Sequence, residues 1–115
     1  MSRVKVTYPA LSRSELVDRL KETSITLKKR LPITRLILFG SYAVNRYTAA
    51  SDIDLLVVYD GQEREDAFKV IMNELRLPRL EPRIYTEEQY KTVLLSSPKF
   101  AEVLSKQGLP IVGKV

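Results

Sequence analysis

The segment "LILFGSYAVNRYTAASDIDLLVVY", residues 36–59, decides the fold. It contains two apolar runs, each long enough for a buried strand, separated by a Gly-Ser pair and a polar spacer. The second run opens with two aspartates separated by one isoleucine. Buried strands normally exclude carboxylates, because an ionised carboxylate is costly to remove from water. The aspartates therefore call for a functional explanation.

The composition limits the chemistry. With 115 residues, 44% of them hydrophobic, the sequence predicts one compact domain over residues 1–115. It contains no cysteine and no histidine, which excludes disulfides, Ser-His-Asp triads and nearly all zinc sites. Any reaction must depend on carboxylates, hydroxyls, lysines, arginines or a hard metal ion.

Charge and hydropathy bear on the cellular location of the protein and on the type of partner that it binds. There is no apolar run of about 18 residues or more, and residues 1–10 lack the apolar centre of a signal peptide, so we predict a cytoplasmic protein without a membrane segment. The net charge of +5 suits a polyanionic partner such as a nucleotide. The basic residues are scattered, and no aromatic-rich strand could stack bases, which argues against direct nucleic-acid binding.

Helix and strand signals alternate along the chain. Ser12 and Glu15 form a capping-box pattern before a helix that ends near Pro32. Ala67, Phe68, Ile71 and Leu75 mark the apolar positions of a second helix. The predicted elements are helices at 13–31, 63–76, 87–97 and 98–107, strands at 34–39, 52–59 and 80–86, and a short edge strand after Gly108.

Asp52 and Asp54 lie on the same face of the second strand, because side chains alternate along a strand, with Cα atoms roughly 7 Å apart. Adjacent carboxylates repel unless a cation neutralises them. Two hard cations about 3.5–4 Å apart would do so, and this is the geometry of two-metal phosphoryl transfer. Magnesium fits best because the donors are oxygens. The alternative is a solvated pair beside a turn.

Gly40 and Ser41 favour the metal interpretation. They end the first strand, where a glycine lets the backbone approach a ligand and exposed N–H groups can hold phosphate. If the two strands are neighbours, a nucleoside triphosphate could span Gly40-Ser41 and the aspartates.

A third acid would complete the cluster. Asp60 is excluded, because it lies about 20 Å along the strand from Asp54. Glu81 begins the third strand. It could join the aspartates or be an ordinary solvated residue at a strand entry, and the spacing leaves both open.

An apolar strand, Gly40-Ser41, a ten-residue spacer and then Ser51-Asp52-Ile53-Asp54 resembles the signature of the nucleotidyltransferase superfamily that includes DNA polymerase beta, and specifically its minimal, MNT-type branch. The resemblance extends from about residue 34 to residue 86. It implies an α+β fold (α/β two-layer) with a mixed β-sheet packed with helices. It also implies that two magnesium ions bind Asp52, Asp54 and a third acid, which in "LEPRIYT" is Glu81. The triphosphate is expected on Gly40 and Ser41.

The sequence also departs from that family. Many relatives read "GSYARGEA" where this chain reads "GSYAVNRY", so Val44 replaces the usual arginine and Asn45 the usual glycine. Arg46 could replace the missing charge and bind the nucleotide. Tyr42 and Tyr47 could stack on a base, but tyrosines beside a turn more often pack on the core, and we favour packing.

The resemblance suggests two functions. In the first, the protein is a magnesium-dependent nucleotidyltransferase with Asp52, Asp54 and Glu81 as catalytic residues. It would move AMP from ATP to a hydroxyl, for instance a tyrosine of a partner protein. In the second, it is an antitoxin that acts mainly by binding a helical HEPN-type toxin. The sequence also leaves a homo-oligomer open.

Overall fold

The computed structural model describes residues 11–115, so the prediction that residues 1–10 carry no signal peptide lies outside the described residues. The elements, in chain order, are α1 (Arg13–Arg30), β1 (Ile33–Phe39), β2 (Ile53–Tyr59), α2 (Ala67–Leu75), β3 (Leu80–Thr86), α3 (Glu87–Ser96), α4 (Pro98–Gln107) and β4 (Leu109–Val112). No helix among residues 11–115 is long and apolar enough to cross a membrane.

The four strands form one mixed sheet in the order β3-β2-β1-β4. β1 pairs antiparallel with both β2 and β4, whereas β3 pairs parallel with β2. A parallel pair needs a crossover, and α2 supplies it between β2 and β3. The predicted mixed sheet packed with helices is therefore confirmed.

The alternating strand side chains make two apolar clusters, one on each face of the sheet. The larger cluster joins Leu55 and Val57 of β2 to the buried leucines of α1 and the inner side of α2. The smaller joins Leu56 and Val58 to Tyr90 of α3 and Leu104 of α4. Because both faces of β2 are covered, its whole run from Leu55 to Tyr59 is apolar and buried.

The predicted helix starts are confirmed where a capping box marks them. Ser12 accepts a hydrogen bond from the Glu15 N–H, and the Glu15 side chain accepts from the Ser12 N–H, which fixes the start of α1. Thr86 and Gln89 make the same reciprocal pair at the start of α3. Pro98 opens α4 in the first turn, where a missing N–H costs nothing.

The prediction for α2 was wrong in two respects. The helix begins at Ala67 rather than at residue 63, because Arg64 is engaged elsewhere: its guanidinium binds Asp66 and the Arg30 carbonyl, and its N–H donates to Tyr59 Oη. Phe68, counted among the apolar positions, is 57% exposed. The buried side of α2 consists of Ala67, Val70, Ile71 and Leu75.

Candidate functional site

The acidic residues meet at one end of the sheet, at the start of β2 and β3. In the register of the sheet, Asp54 pairs with Phe39 of β1 on one side and with Glu81 of β3 on the other. Directly paired residues point to the same face of a sheet. The parallel pairing thus brings Glu81 beside Asp54, although 27 positions separate them in sequence. Asp52 lies just before β2 and is exposed.

Gly40 lies directly against Asp54. Its φ of +76° is in the left-handed region, which suits glycine. A Cβ at this position would overlap the Asp54 Oδ2 atom and come within 2.9 Å of its Cγ. The missing side chain therefore makes the space that the carboxylate occupies, and the glycine of the Gly-Ser pair shapes the acidic site itself.

The electrostatics of Asp54 reflect this crowding. Burial raises the pKa of the Asp54 carboxyl, and the negative charges of Asp52 and Glu81 add to the rise, whereas the positive charge of Arg83 opposes it. Asp52 and Glu81 are therefore each close enough to Asp54 to repel its carboxylate. A cation that bound among them would relieve that repulsion.

The loop after β1 is held by its own backbone. The Arg46 N–H donates to the Ser41 carbonyl at 2.8 Å, and the Asn45 N–H donates to the Tyr42 carbonyl at 3.2 Å. Within residues 11–115, the backbone N–H groups of Ser41 and Tyr42 have no acceptor. Unpaired N–H groups in the loop that follows Gly40 are the kind of donor that a phosphate cradle requires.

The substitutions in this loop have structural counterparts. Asn45 adopts a φ of 60°, a left-handed conformation that asparagine tolerates better than most residues, so it can stand where relatives have glycine. Val44 and Arg46 are both exposed. The Arg46 side chain is therefore accessible to a ligand at the loop.

The two tyrosines of the loop pack on the protein. Tyr42 is buried and its ring stacks on Tyr47, with centroids 4.3 Å apart and an interplanar angle of 8°. Tyr47 Oη accepts a hydrogen bond from the Arg13 N–H at 3.1 Å, which ties the loop to the start of α1. The packing interpretation of these tyrosines is confirmed.

The donor set suits a hard cation, since it consists of carboxylate oxygens. Among residues 11–115, however, no three acidic side chains converge into a complete metal-binding group. Asp54 and Glu81 nevertheless pair directly, and Asp52 lies just before β2 at the same end of the sheet. Asp60, excluded by its distance along the strand, is exposed at the opposite end of β2.

Sequence reasoning missed Arg83. It lies two positions after Glu81 on β3, so it shares that face of the sheet, and this spacing was the available signal. Its guanidinium carbon lies 4.8 Å from the ring centroid of Phe100 and 6.0 Å from that of Phe39. The two rings themselves meet edge to face, with centroids 5.5 Å apart.

A second concave region lies at the opposite end of the sheet, between α2 and α3. This groove has a volume of about 650 Å³. Exposed Phe68 forms part of its wall, and Glu63 and Glu65 lie along it. The other lining residues are Tyr59, Arg64, Ala67, Ile84, Tyr85, Gln89, Thr92 and Val93.

Comparisons with known sequences bear on this arrangement. A family model described as "Nucleotidyltransferase domain" matches residues 20–106. Two proteins of Methanocaldococcus jannaschii, both named "putative protein adenylyltransferase", are 41% and 39% identical over 46 residues. Each match covers 40% of this chain and 47% of the relative, so the chain spans about half the length of the curated relatives it matches.

Solved structures share the fold. A "putative nucleotidyltransferase" from Sulfolobus solfataricus has a TM-score of 0.54 and 20% identity, covering 85% of this chain and 80% of its own. A toxin-antitoxin structure with AMP-PNP has a TM-score of 0.54 and 20% identity, covering 82% and 73%. A toxin-antitoxin pair, MntA-HpeT, with two aspartate-to-glutamate substitutions has a TM-score of 0.52 and 18% identity, covering 82% and 73%.

Proposed function

Because this chain belongs to the nucleotidyltransferase domain family, whose model matches residues 20–106, we propose that it transfers a nucleoside monophosphate from ATP to a hydroxyl acceptor in the cytoplasm. The observation that carries this proposal is the register of the sheet: Asp54 pairs directly with Glu81, and Gly40 makes room for the Asp54 carboxylate. The names of the curated relatives, protein adenylyltransferases, favour AMP as the transferred group and a protein side chain, such as a tyrosine hydroxyl, as the acceptor.

In the proposed reaction, the acceptor hydroxyl oxygen forms a bond to the α-phosphorus of ATP. The bond from that phosphorus to the oxygen bridging to the β-phosphate breaks, and pyrophosphate leaves. We propose that Glu81, which pairs with Asp54 and is exposed, accepts the hydroxyl proton. Gly40, Ser41 and Arg46 would hold the phosphates.

Magnesium, with two ions expected on Asp52, Asp54 and Glu81, would supply neutralisation of the phosphate charge and activation of the attacking oxygen. The chain's own contribution is to align the carboxylates. Asp54 is fixed between Gly40 and its β-strand neighbours, whereas Asp52 and Glu81 are exposed and free to adjust.

A calorimetric titration of magnesium ATP tests the site. We expect Asp54→Asn to weaken the affinity about tenfold or more, because it removes a charged oxygen ligand. Asp60→Asn is the matched control, since it makes the same change on the same strand outside the cluster, and it should bind like wild type. Equal affinity in all three proteins would remove the proposed site.

Transfer is tested separately with ATP labelled at the α-phosphate and a partner protein as acceptor. Label should appear on the partner with wild type and be absent with Glu81→Gln, which keeps the shape of the side chain but cannot accept a proton. If Glu81→Gln transferred label at the wild-type rate, Glu81 would not be the base.

A second function, binding of a helical HEPN-type toxin with weak or no catalysis, is favoured by one observation. Phe68 is 57% exposed beside the groove between α2 and α3, and phenylalanine is enriched at protein–protein interfaces. The structural likeness to toxin-antitoxin complexes agrees with such a partner.

A further inference from the structure

Arg83 reaches across the sheet toward the end of β1. Its Cα pairs with Leu56 of β2, yet its guanidinium lies over Phe39, which is on the next strand and two pairs nearer the acidic end. To reach that ring the side chain must cross β2 beside Asp54. Gly40 follows Phe39 directly, so the ring that the guanidinium contacts belongs to the residue just before the loop.

Stacking, and no polar partner, holds Arg83 in this position. Phe100 of α4 lies 4.8 Å from the guanidinium carbon, and such a contact restrains the planar group while leaving its edge open. In the part of the chain that the structure describes, Arg83 forms no hydrogen bond and no ion pair within 4.0 Å. By contrast, Arg35 and Arg64 on the same molecule each bind a carboxylate. The donors of Arg83 are therefore available to a ligand.

We propose that Arg83, restrained by Phe39 and Phe100, binds the polyphosphate of the nucleotide on the face of the sheet that carries Asp54. This inference rests on the proposed function and adds a residue to its site. A guanidinium offers paired N–H donors that match two phosphate oxygens. Arg83 would bind phosphate while the three carboxylates hold cations, and the stacked rings would keep it oriented before the nucleotide arrives.

Titration with inorganic tripolyphosphate in the presence of magnesium tests the inference, because this probe has phosphates and no nucleoside. We expect Arg83→Ala to weaken tripolyphosphate and ATP binding by the same factor, about tenfold or more. Arg83→Lys should fall between wild type and Arg83→Ala, since lysine keeps the charge but loses the paired donors. Arg19→Ala removes an equal charge from exposed α1 and should bind both like wild type.

Three results would overturn the inference. If Arg83→Ala binds tripolyphosphate like wild type, the arginine only packs α4 on the sheet, and a lowered melting temperature would be its sole effect. If ATP binding falls but tripolyphosphate binding does not, Arg83 contacts the nucleoside. If Arg83→Lys binds tripolyphosphate as tightly as wild type, the paired donors of the guanidinium contribute nothing.

Magnesium ATP binding by Asp54→Asn distinguishes a failure of this inference from a failure of the proposed nucleotidyltransferase function. If magnesium ATP binding falls in Asp54→Asn but not in Arg83→Ala, the nucleotidyltransferase proposal stands and only the role of Arg83 is wrong. If wild type binds neither ATP nor tripolyphosphate, both are wrong.

Discussion

At the scale of single residues, Gly40 has two reasons to be glycine. Its φ of +76° strains other residues, and the space above its Cα is filled by the Asp54 carboxylate. The sequence predicted a close approach of the backbone to a ligand at this position. It could not predict that a carboxylate of the protein also uses the space, because that contact depends on the register between β1 and β2.

Gly40→Ala should therefore damage both stability and binding. We expect the free energy of unfolding to fall by about 1–2 kcal/mol from backbone strain and the magnesium ATP affinity to fall about tenfold, because Asp54 must move. Chemical denaturation and calorimetry measure the two effects. Gly61→Ala is the matched control: Gly61 has a φ of +94° but nothing within 4 Å of its added Cβ, so it should lose stability alone. Loss of affinity in both variants would contradict the explanation.

Asp54→Asn should stabilise the metal-free protein. Burial and its acidic neighbours raise the pKa of Asp54 in the folded state, so between the unfolded and folded pKa values the folded protein binds more protons. Stability then falls as pH rises through that window and stays lower at neutral pH. Because the carboxyl is only half-buried, we expect a melting temperature roughly 1–4 °C higher for the variant at pH 7.

The gain should disappear below the ordinary aspartate pKa of about 3.9, where both states are protonated. At pH 7, added magnesium should raise the melting temperature of wild type but not of Asp54→Asn. Asp60→Asn should match wild type at every pH. A variant that melts below wild type at pH 7 without metal would show that ionised Asp54 stabilises the fold.

At the scale of helices and strands, the helix starts that a capping box marks were predicted correctly. The start of α2, which depends on long-range contacts, was not. α1 and α3 begin directly after Ser12 and Thr86, as predicted. A capping box involves only four consecutive residues, so the sequence alone is enough to recognise it. α2 begins late because Arg64 binds Tyr59 and Arg30, residues that sequence spacing does not bring together.

Thr86→Ala should lower the free energy of unfolding by about 1–2 kcal/mol, because it removes the hydrogen bond to the Gln89 N–H at a buried helix start. Thr86→Ser should retain most of the stability. Thr92→Ala, an exposed position in the same helix, should change it by no more than about 0.5 kcal/mol. Nucleotide affinity should stay unchanged, since Thr86 lies at the end of β3 away from Glu81. Urea denaturation and calorimetry on the same samples would show whether the two effects separate.

At the scale of the whole molecule, the sequence predicted the mixed sheet packed with helices through a family resemblance and the aspartates through their spacing. The position of Glu81 was open, because residues 60–80 lie between it and β2, and only the parallel pairing brings it beside Asp54. Arg83 was missed for a related reason: its interaction with Phe100 depends on how α4 folds back over the sheet.

Phe68→Ser tests the binding function at this scale. The side chain is exposed, so stability should change by less than about 0.5 kcal/mol, while a helical partner that uses the groove should bind about tenfold or more weakly. The probe is a purified helical protein of the proposed HEPN type, titrated into the purified chain. Ile25→Ser, a similarly exposed change on α1, should bind like wild type. Equal loss in both variants, or in neither, would exclude the groove as the contact.

The parallel pairing of β3 with β2 implies an order in which the strands of the sheet fold. Antiparallel β1 and β2 are joined by residues 40–52, whereas Glu81 arrives only after a longer crossover has closed. Longer closures cost more chain entropy and form more slowly. In a refolding chain, Gly40 and the two aspartates would thus reach their native positions before Glu81 does. We therefore expect nucleotide binding to appear only at the end of folding.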